Sequence, residues 1–469
     1  MDFDVVVIGS GIAGLSAAVE AAERGASVVV LEGNSTIGGA SVMSGAACCL
    51  VGTSEQAAAG IHDSVELALA DWARFGGETA DLTWAEAYLR DSRVFVRDWC
   101  ESLGTTWRTP QLAEGNSVPR WHFPERWGPG IVEGVLARAR ELGVEILTGV
   151  EAAEIMADSD GVHGVRISGI DKDVVGARAV IVATGGFVNN REMLKHADPV
   201  LFDSPRVLQG GSPTAGGTGH RLLESLGADF VSMGNVWVYP TGTPDPRDPS
   251  GQRGLGLRGA PTELWLNSAG ERFHDESQRG GHSGTNALLR QSGHTLWSVF
   301  DASELPNLLL IDNEYFATPA GPHPAAMEEF WRDSRYAWRA DTPAELARAT
   351  GLPEDAVVAS IERFNAAVDE GVEFDPVTGR SMSGLTRVGD SGLVAVQFFP
   401  MAQKNFGGVR TDLTCRVLNA AGEPLPGVYA AGELAGMAGG SINGTAGLEG
   451  TMFGPSLYSG RIAGMSVAF

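Results

Sequence analysis

Phe3-Asp4-Val5-Val6-Val7-Ile8-Gly9-Ser10-Gly11-Ile12-Ala13-Gly14 decides the fold of this 469-residue chain. Val5 to Ile8 form the apolar, β-branched run that a buried parallel strand requires. Ile12, Leu15, Ala18, Val19 and Ala22 then recur at helical spacing, so a helix is expected over residues 12–23. Gly9 permits the tight turn between the two, Gly11 lets backbone approach a pyrophosphate, and Gly14 lets the helix close on the strand. The helix start at Ile12-Ala13 turns N–H groups and a positive dipole end toward phosphates. Val28 to Leu31 read as the second strand, ending in Glu32, where a carboxylate can accept both ribose hydroxyls of a dinucleotide.

Two further glycine segments extend the reading. Ala183-Thr184-Gly185-Gly186 closes the apolar run Ala179 to Val182, and Gly427-Val428-Tyr429-Ala430-Ala431-Gly432-Glu433 lies near the end. In this order they describe a chain that leaves its dinucleotide domain and later returns to it. After the second strand, Gly33, then Gly38-Gly39-Ala40-Ser41, then Ser44-Gly45, would let the chain run beside the rest of a long cofactor.

With these pieces the chain resembles the fumarate reductase/3-ketosteroid dehydrogenase family of FAD-binding flavoproteins, from Asp4 to Ala463. The matching stretches also include Asn267 to Glu276 and Gly407-Gly408-Val409. The resemblance implies an α/β fold: a Rossmann-like FAD-binding domain with an inserted α+β substrate-capping domain. The expected division is 1–224 for the first part of the FAD domain, 225–395 for the capping domain and 396–469 for the return segment. FAD is the implied cofactor, with Val150 beside the adenine, Glu433 on the ribityl chain, and Gly447 and Leu448 beside the pyrimidine end. Non-covalent attachment is expected, because no histidine follows Gly39 before His62.

Composition excludes several classes. Net charge is −24, from 34 basic and 58 acidic residues, which argues against nucleic acid or an anionic membrane surface as partner. No apolar run reaches membrane-spanning length, and the first strand begins too early to leave room for a signal peptide. Cys48, Cys49, Cys100 and Cys415 have neither metal spacing nor a disulfide framework. A cytoplasmic protein without metal, using a small-molecule substrate and an electron acceptor, is therefore expected; its oligomeric state is not legible.

Helices are expected over 61–80, 83–103, 129–142 and 353–368, with Trp72, Trp84 and Trp99 in the core. Thr342-Pro343-Ala344-Glu345 carries capping-box spacing. Strands are expected at 144–147, 161–170 and 173–183. The prolines at 240, 244, 246 and 249 argue against regular sheet between 211 and 255.

Chemistry beside a carbonyl-activated C–C bond needs a hydride acceptor, a proton-transfer group and donors for the carbonyl oxygen. Tyr239 lies in Trp237-Val238-Tyr239-Pro240-Thr241-Gly242, which resembles the place where fumarate reductases have His-Pro-Thr; its phenol either transfers the proton or packs with its OH on backbone. Arg279, with His282 nearby, is the second candidate, or else an ordinary ion-pair arginine; Arg272 and Glu276 read as a brace. The Gly450 amide resembles the ketone-binding donor of ketosteroid dehydrogenases, although Ala446 and Gly280 stand where that family has tyrosines. Lys404-Asn405-Phe406-Gly407-Gly408 and Ala446-Gly447-Leu448-Glu449-Gly450 depart from the basic segments by which dicarboxylate reductases hold their substrates. Three readings follow: desaturation of a cyclic ketone by an FAD-dependent CH–CH oxidoreductase; a fumarate-reductase-like enzyme clamping an acid with Arg253, Arg258, Arg272, Arg279 and Lys404; or a non-catalytic flavin electron-transfer subunit.

Overall fold

The strand Val5–Ile8 sits at the middle of a six-stranded sheet because it is apolar on both faces, and all four of its residues are buried. It pairs in parallel with Val28–Glu32 on one side and Ala179–Val182 on the other, with Ile8 opposite Leu31 and Val182. Glu145–Thr148 continues the sheet beyond Val28–Glu32. Pro424–Ala430 continues it beyond Ala179–Val182, with Ala430 opposite Val182, and Arg416–Leu418 adds an antiparallel edge. This computed structural model describes residues 2–202, 204, 206–311, 316–317, 321–322 and 324–469. They form two compact units: Met1–Asp198 with Gly211–Trp237 and Lys404–Phe469, and Pro199–Gly210 with Val238–Gln403. Both strands that return to the central sheet thus come from distant parts of the first unit.

The helix Ile12–Glu23 covers this sheet and packs on the last helix, Phe453–Ser466. Their approach is closer than side chains allow. A Cβ on Gly460 would fall 2.2 Å from the Ala13 carbonyl oxygen, and one on Gly464 would fall 2.2 Å from that of Ala17. A three-stranded meander, Glu151–Asp158, Gly161–Ser168 and Val174–Gly176, flanks the sheet. The expected strand over 173–183 is therefore two strands. Val174–Gly176 pairs within the meander, and after Ala177-Arg178 the chain moves to the main sheet as Ala179–Val182.

The helical region departs from the sequence reading in an instructive way. The first helix is Val65–Gly76, shorter than 61–80. Asp63 is withheld from it by a buried ion pair with Arg120 at 2.7 Å, Ser64 caps the Leu67 N–H, and Gly77 at φ +70° ends it. The stretch 83–103 divides into Leu82–Asp91, a π-turn segment Ser92–Asp98, and Trp99–Ser102. A π segment leaves carbonyls unmatched; here Arg461 donates to the Phe95 carbonyl at 2.7 Å. Trp72 and Trp84 are buried, whereas Trp99 is half-buried beneath the Arg461 guanidinium, 4.5 Å from its ring centroid.

The second unit is built on a larger sheet in the order Glu263–Leu266, Leu296–Asp301, Leu393–Asn405, Val236–Pro244, Gly254–Arg258 and Leu309–Ile311. Val236–Pro244 overturns the expectation that prolines exclude sheet there: it is a nine-residue strand with Pro240 and Pro244 inside it. The two prolines are four residues apart, so both missing donors fall on one side of the strand and the other ladder is kept. The helices Pro343–Thr350, with its Thr342/Glu345 capping box, and Glu354–Asp369 pack on this sheet through Leu346, Val357, Ile361 and Phe364.

Gly460→Ala tests the helix contact. The added methyl has no room beside Ala13, and overpacking of this kind costs ~1–3 kcal/mol; the urea midpoint should fall accordingly. An unchanged midpoint would mean that the helices are not held this closely.

Candidate functional site

The three glycine segments meet at the carboxyl ends of Val5–Ile8, Ala179–Val182 and Pro424–Ala430, where open α/β sheets bind ligands. Each contact depends on a missing side chain. A Cβ on Gly9 (φ +104°) would lie 2.5 Å from the Ala183 carbonyl oxygen, and one on Gly432 would lie 2.8 Å from Ala13 Cβ. One on Gly186 would lie 2.0 Å from Asn405 Oδ1 and 2.3 Å from Glu433 Oε1. Gly14 closes helix on turn, since its Cβ would fall 2.0 Å from the Gly9 carbonyl oxygen.

The result is a cleft of about 1350 Å³ within the first unit, larger than most small-ligand pockets. Of the expected cofactor residues, Gly9, Gly11, Ile12, Ala13, Glu32, Gly33, Gly39, Ala40, Ser41, Ser44, Val150, Ala183, Thr184, Gly185, Gly432 and Glu433 line it. Gly14 supports the turn from below. Gly45 backs onto Phe123, and Gly447 and Leu448 are buried behind the cleft, Gly447 against Phe406 and Thr451. Met437, Met452, Phe453 and Ser456 line the cleft near them instead. Met437 and Met452 lie in the turn-rich stretch before the helix Phe453–Ser466, which has no periodicity from which to read a face, and Phe453 and Ser456 lie in the first turn of that helix.

Two polar details refine the expectation. Ser41 Oγ accepts the Ile12 N–H at 3.0 Å, so one amide of the helix start already has a partner. The Glu32 carboxylate accepts from the Ser10 N–H and hydroxyl (3.0 and 2.6 Å) and from the Asn34 N–H and side-chain amide (2.9 and 3.0 Å). Four donors occupy its usual acceptor capacity, so a ribose hydroxyl would have to share or replace one of them.

Glu433 is half-buried in the cleft and accepts the Asn405 N–H at 3.2 Å. Burial pushes its carboxyl up to about 7, against the Asn405 amide and the nearby Lys404 charge, which favour ionisation. Behind the Ala183–Gly186 turn, Gly219 donates to Thr184 Oγ1 at 3.1 Å. The next residue, His220, is buried between Phe187 and Phe230 with neither ring nitrogen hydrogen-bonded. Burial holds its pKa down at about 4.

The catalytic candidates divide between the units: Gly450 belongs to the first, Tyr239 and Arg279 to the second. Gly450 has φ +93°, its carbonyl accepts the Cys49 N–H at 2.9 Å, and a Cβ would strike that nitrogen. Tyr239 is buried on Val236–Pro244, with the Arg258 guanidinium 5.1 Å from its ring centroid. Gly284 brings the other candidate alongside: its Cβ would lie 2.9 Å from Pro240 and 3.0 Å from the Arg279 carbonyl carbon. Arg279 donates to Glu263 at 2.7 Å. Arg272 is buried between Glu276 and Asp375, at 2.9 and 2.6 Å, and works as the expected brace. The four cysteines are unpaired and buried; burial pushes Cys49 and Cys100 up to about 12, leaving thiols rather than reactive thiolates. Among the described residues no helix is long and apolar enough to cross a membrane, and no three His, Cys, Asp or Glu side chains are placed to hold a metal.

A glycine-cradled cleft at parallel strand ends marks a dinucleotide-binding α/β protein, and its volume and donor set fit FAD. Comparison with known proteins agrees: the FAD binding domain family matches residues 4–452, and the chain belongs to that family. It is 30% identical to a KsdD-like steroid dehydrogenase of Mycobacterium tuberculosis, over 99% of this chain and 95% of that protein. Among solved structures it is similar to a 3-ketosteroid-Δ4-(5α)-dehydrogenase from Rhodococcus jostii RHA1 in complex with 4-androstene-3,17-dione (26% identity, TM-score 0.74, covering 99% and 96% of the two chains). It is also similar to the open conformation of a flavocytochrome c3 fumarate reductase (26% identity, TM-score 0.77, covering 99% and 78%). The chain is an FAD-dependent enzyme of the dehydrogenase/reductase class acting on CH–CH bonds, which sets aside the reading as a non-catalytic subunit.

Gly186→Ala should remove FAD: the methyl overlaps Asn405 and Glu433, and the purified variant is expected to carry far less flavin per chain than the wild type. Equal flavin content would show that this turn does not shape the cleft. His220 gives a pH prediction. Its folded pKa (about 4) lies below the ordinary 6.5, so the unfolded chain takes up the proton first and stability falls as pH drops from 6.5 toward 4, by about 3 kcal/mol from this group. Unfolding free energy measured across that window should fall less steeply in His220→Phe; parallel curves would contradict the assignment.

Proposed function

We propose that the enzyme desaturates a neutral cyclic ketone or a related carbonyl compound at the bond α,β to its carbonyl. The observation that carries this reading is the state of the arginines in the second unit. Arg253 faces Asp245 at 3.3 Å, Arg272 is held by Glu276 and Asp375, Arg279 by Glu263, and Arg258 lies over Tyr239. Each cation of the suggested acid clamp in that unit already serves another group, and a carboxylate substrate would have to compete with those groups, most expensively for the buried Arg272. The similarity to steroid dehydrogenases supports the same conclusion.

FAD supplies the hydride acceptor when bound. The chain's own residues supply the rest: Tyr239 moves the proton at the α carbon, and the Gly450 amide donates to the carbonyl oxygen as charge develops there. Arg279 is the alternative proton carrier, but a guanidinium stays protonated and here it is tied to the Glu263 carboxylate, so Tyr239 is preferred. FAD is held without a covalent bond, supported by the absence of histidine from the cleft segment between Gly39 and Gly45. Four buried, unpaired cysteines support a reducing, cytoplasmic setting. The alternative is a fumarate-reductase-like reaction on a small acid.

Tyr239→Phe should keep its FAD and lose roughly 10²–10⁴-fold in turnover, the usual contribution of a positioned acid–base group. Unchanged turnover would remove Tyr239 from the mechanism. Small dicarboxylates should fail to compete with substrate; competitive inhibition by them would favour the acid reading.

A further inference from the structure

The chain carries 31 arginines and three lysines. Lys172 pairs with Asp2 on the surface and Lys195 is exposed on Arg191–Ala197. The third, Lys404, lines the cofactor cleft. Its setting is built rather than incidental. It precedes Asn405 at the end of the strand Leu393–Asn405, and Asn405 is fully buried. The Asn405 N–H donates to Glu433 Oε1, its Nδ2 to the carbonyls of Gly407 (2.7 Å) and Glu433 (3.0 Å), and its Oδ1 accepts the Phe187 N–H (3.1 Å). The network that fixes Glu433 and the Ala183–Gly186 turn therefore also fixes the backbone from which Lys404 reaches into the cleft.

The charge has a use there. Oxidation of a CH–CH bond by hydride transfer delivers two electrons and one proton to the cofactor, while the second proton leaves with the protein base. The cofactor thus gains one negative charge inside a cleft whose other lining side chains include Glu32, Glu151, Glu154 and Glu433. Arg166 and Arg221 are further cations on its lining: Arg166 is paired with Glu154 at 2.9 Å, and Arg221 donates to the Gly216 carbonyl at 2.9 Å and to the Thr218 hydroxyl at 3.2 Å. A lysine is a compact point charge on a flexible stem, suited to offsetting a charge that comes and goes.

We propose that Lys404 sets the reduction potential of the bound FAD, holding a positive charge near the one that reduction leaves behind and so favouring the reduced cofactor. This rests on the FAD-dependent reading above. It predicts a chain tuned to take hydride from its substrate, and it gives Lys404 a role distinct from gripping a substrate carboxylate.

The test is the midpoint potential of the holoprotein, by equilibration with reference dyes, for the wild type, Lys404→Met and Lys404→Arg. Flavin content and the dissociation constants of oxidised and reduced FAD are measured in parallel. Lys404→Met should shift the oxidised-to-reduced equilibrium at least tenfold toward oxidised, about 30 mV for a two-electron couple, and Lys404→Arg should restore most of it. If Lys404→Met binds FAD too weakly to purify as holoprotein, the two dissociation constants give the same quantity: reduced FAD should lose at least tenfold more affinity than oxidised FAD. An unchanged potential, or equal loss of affinity for both forms, overturns the proposal while leaving the functional reading intact. A wild-type protein that binds no FAD overturns both.

Discussion

Three parallel strands end at the same level of one sheet, with Ile8, Val182 and Ala430 in register across it, and everything in the first unit follows from that alignment. Each strand end runs into a glycine segment, and each segment holds a glycine whose missing side chain makes room for a close neighbour. Gly9 lies against Ala183, Gly432 against Ala13, and Gly186 beneath Asn405 and Glu433. Side chains at these places would push the strand ends apart. The cost is three flexible residues ordered in one spot; the gain is a cleft that lets backbone approach a ligand closely and that is lined further out by side chains such as Glu433, Met437 and Phe453. The close seat of Gly460 and Gly464 on Ile12–Glu23 holds the same helix from its other side.

Charge is then distributed on this frame in two ways. In the cleft, the Glu433 carboxyl, raised by burial, accepts the Asn405 N–H and lies near the Lys404 charge. In the second unit, arginines are spent on internal carboxylates: Arg272 with Glu276 and Asp375, Arg380 with Glu276, Arg279 with Glu263. Truncating one member of the buried pairs of Arg272 and Arg380 leaves a costly uncompensated charge, so these two arginines read as scaffold, whereas Arg279 is partly exposed.

Much of the first unit was legible in the sequence because its signals are local. A β-branched run, a glycine turn and a helical stripe identify Val5 to Glu23 without any knowledge of the rest, and the Thr342/Glu345 capping box announces its helix in four residues. What stayed hidden depends on distant partners. Asp63 shortens a helix by pairing with Arg120, Arg461 makes the π segment at Phe95 tolerable, and the sheet ladder accommodates Pro240 and Pro244. Met437, Met452, Phe453 and Ser456 enter the cleft because of where the sheet places the chain, and the unpartnered His220 is invisible until Phe187 and Phe230 are seen around it. The resemblance to flavoproteins supplied FAD; spacing alone supplied only a dinucleotide.

In the proposed reaction the FAD-dependent enzyme takes hydride from a neutral carbonyl compound. Its most direct test is anaerobic titration of the purified holoprotein with saturated cyclic ketones, ketosteroids and small dicarboxylic acids, following the visible absorption of the flavin. Bleaching by a ketone or ketosteroid, with the dicarboxylic acids inert, is the predicted result. Bleaching by succinate-like acids alone would contradict it and place the enzyme with the reductases of small acids.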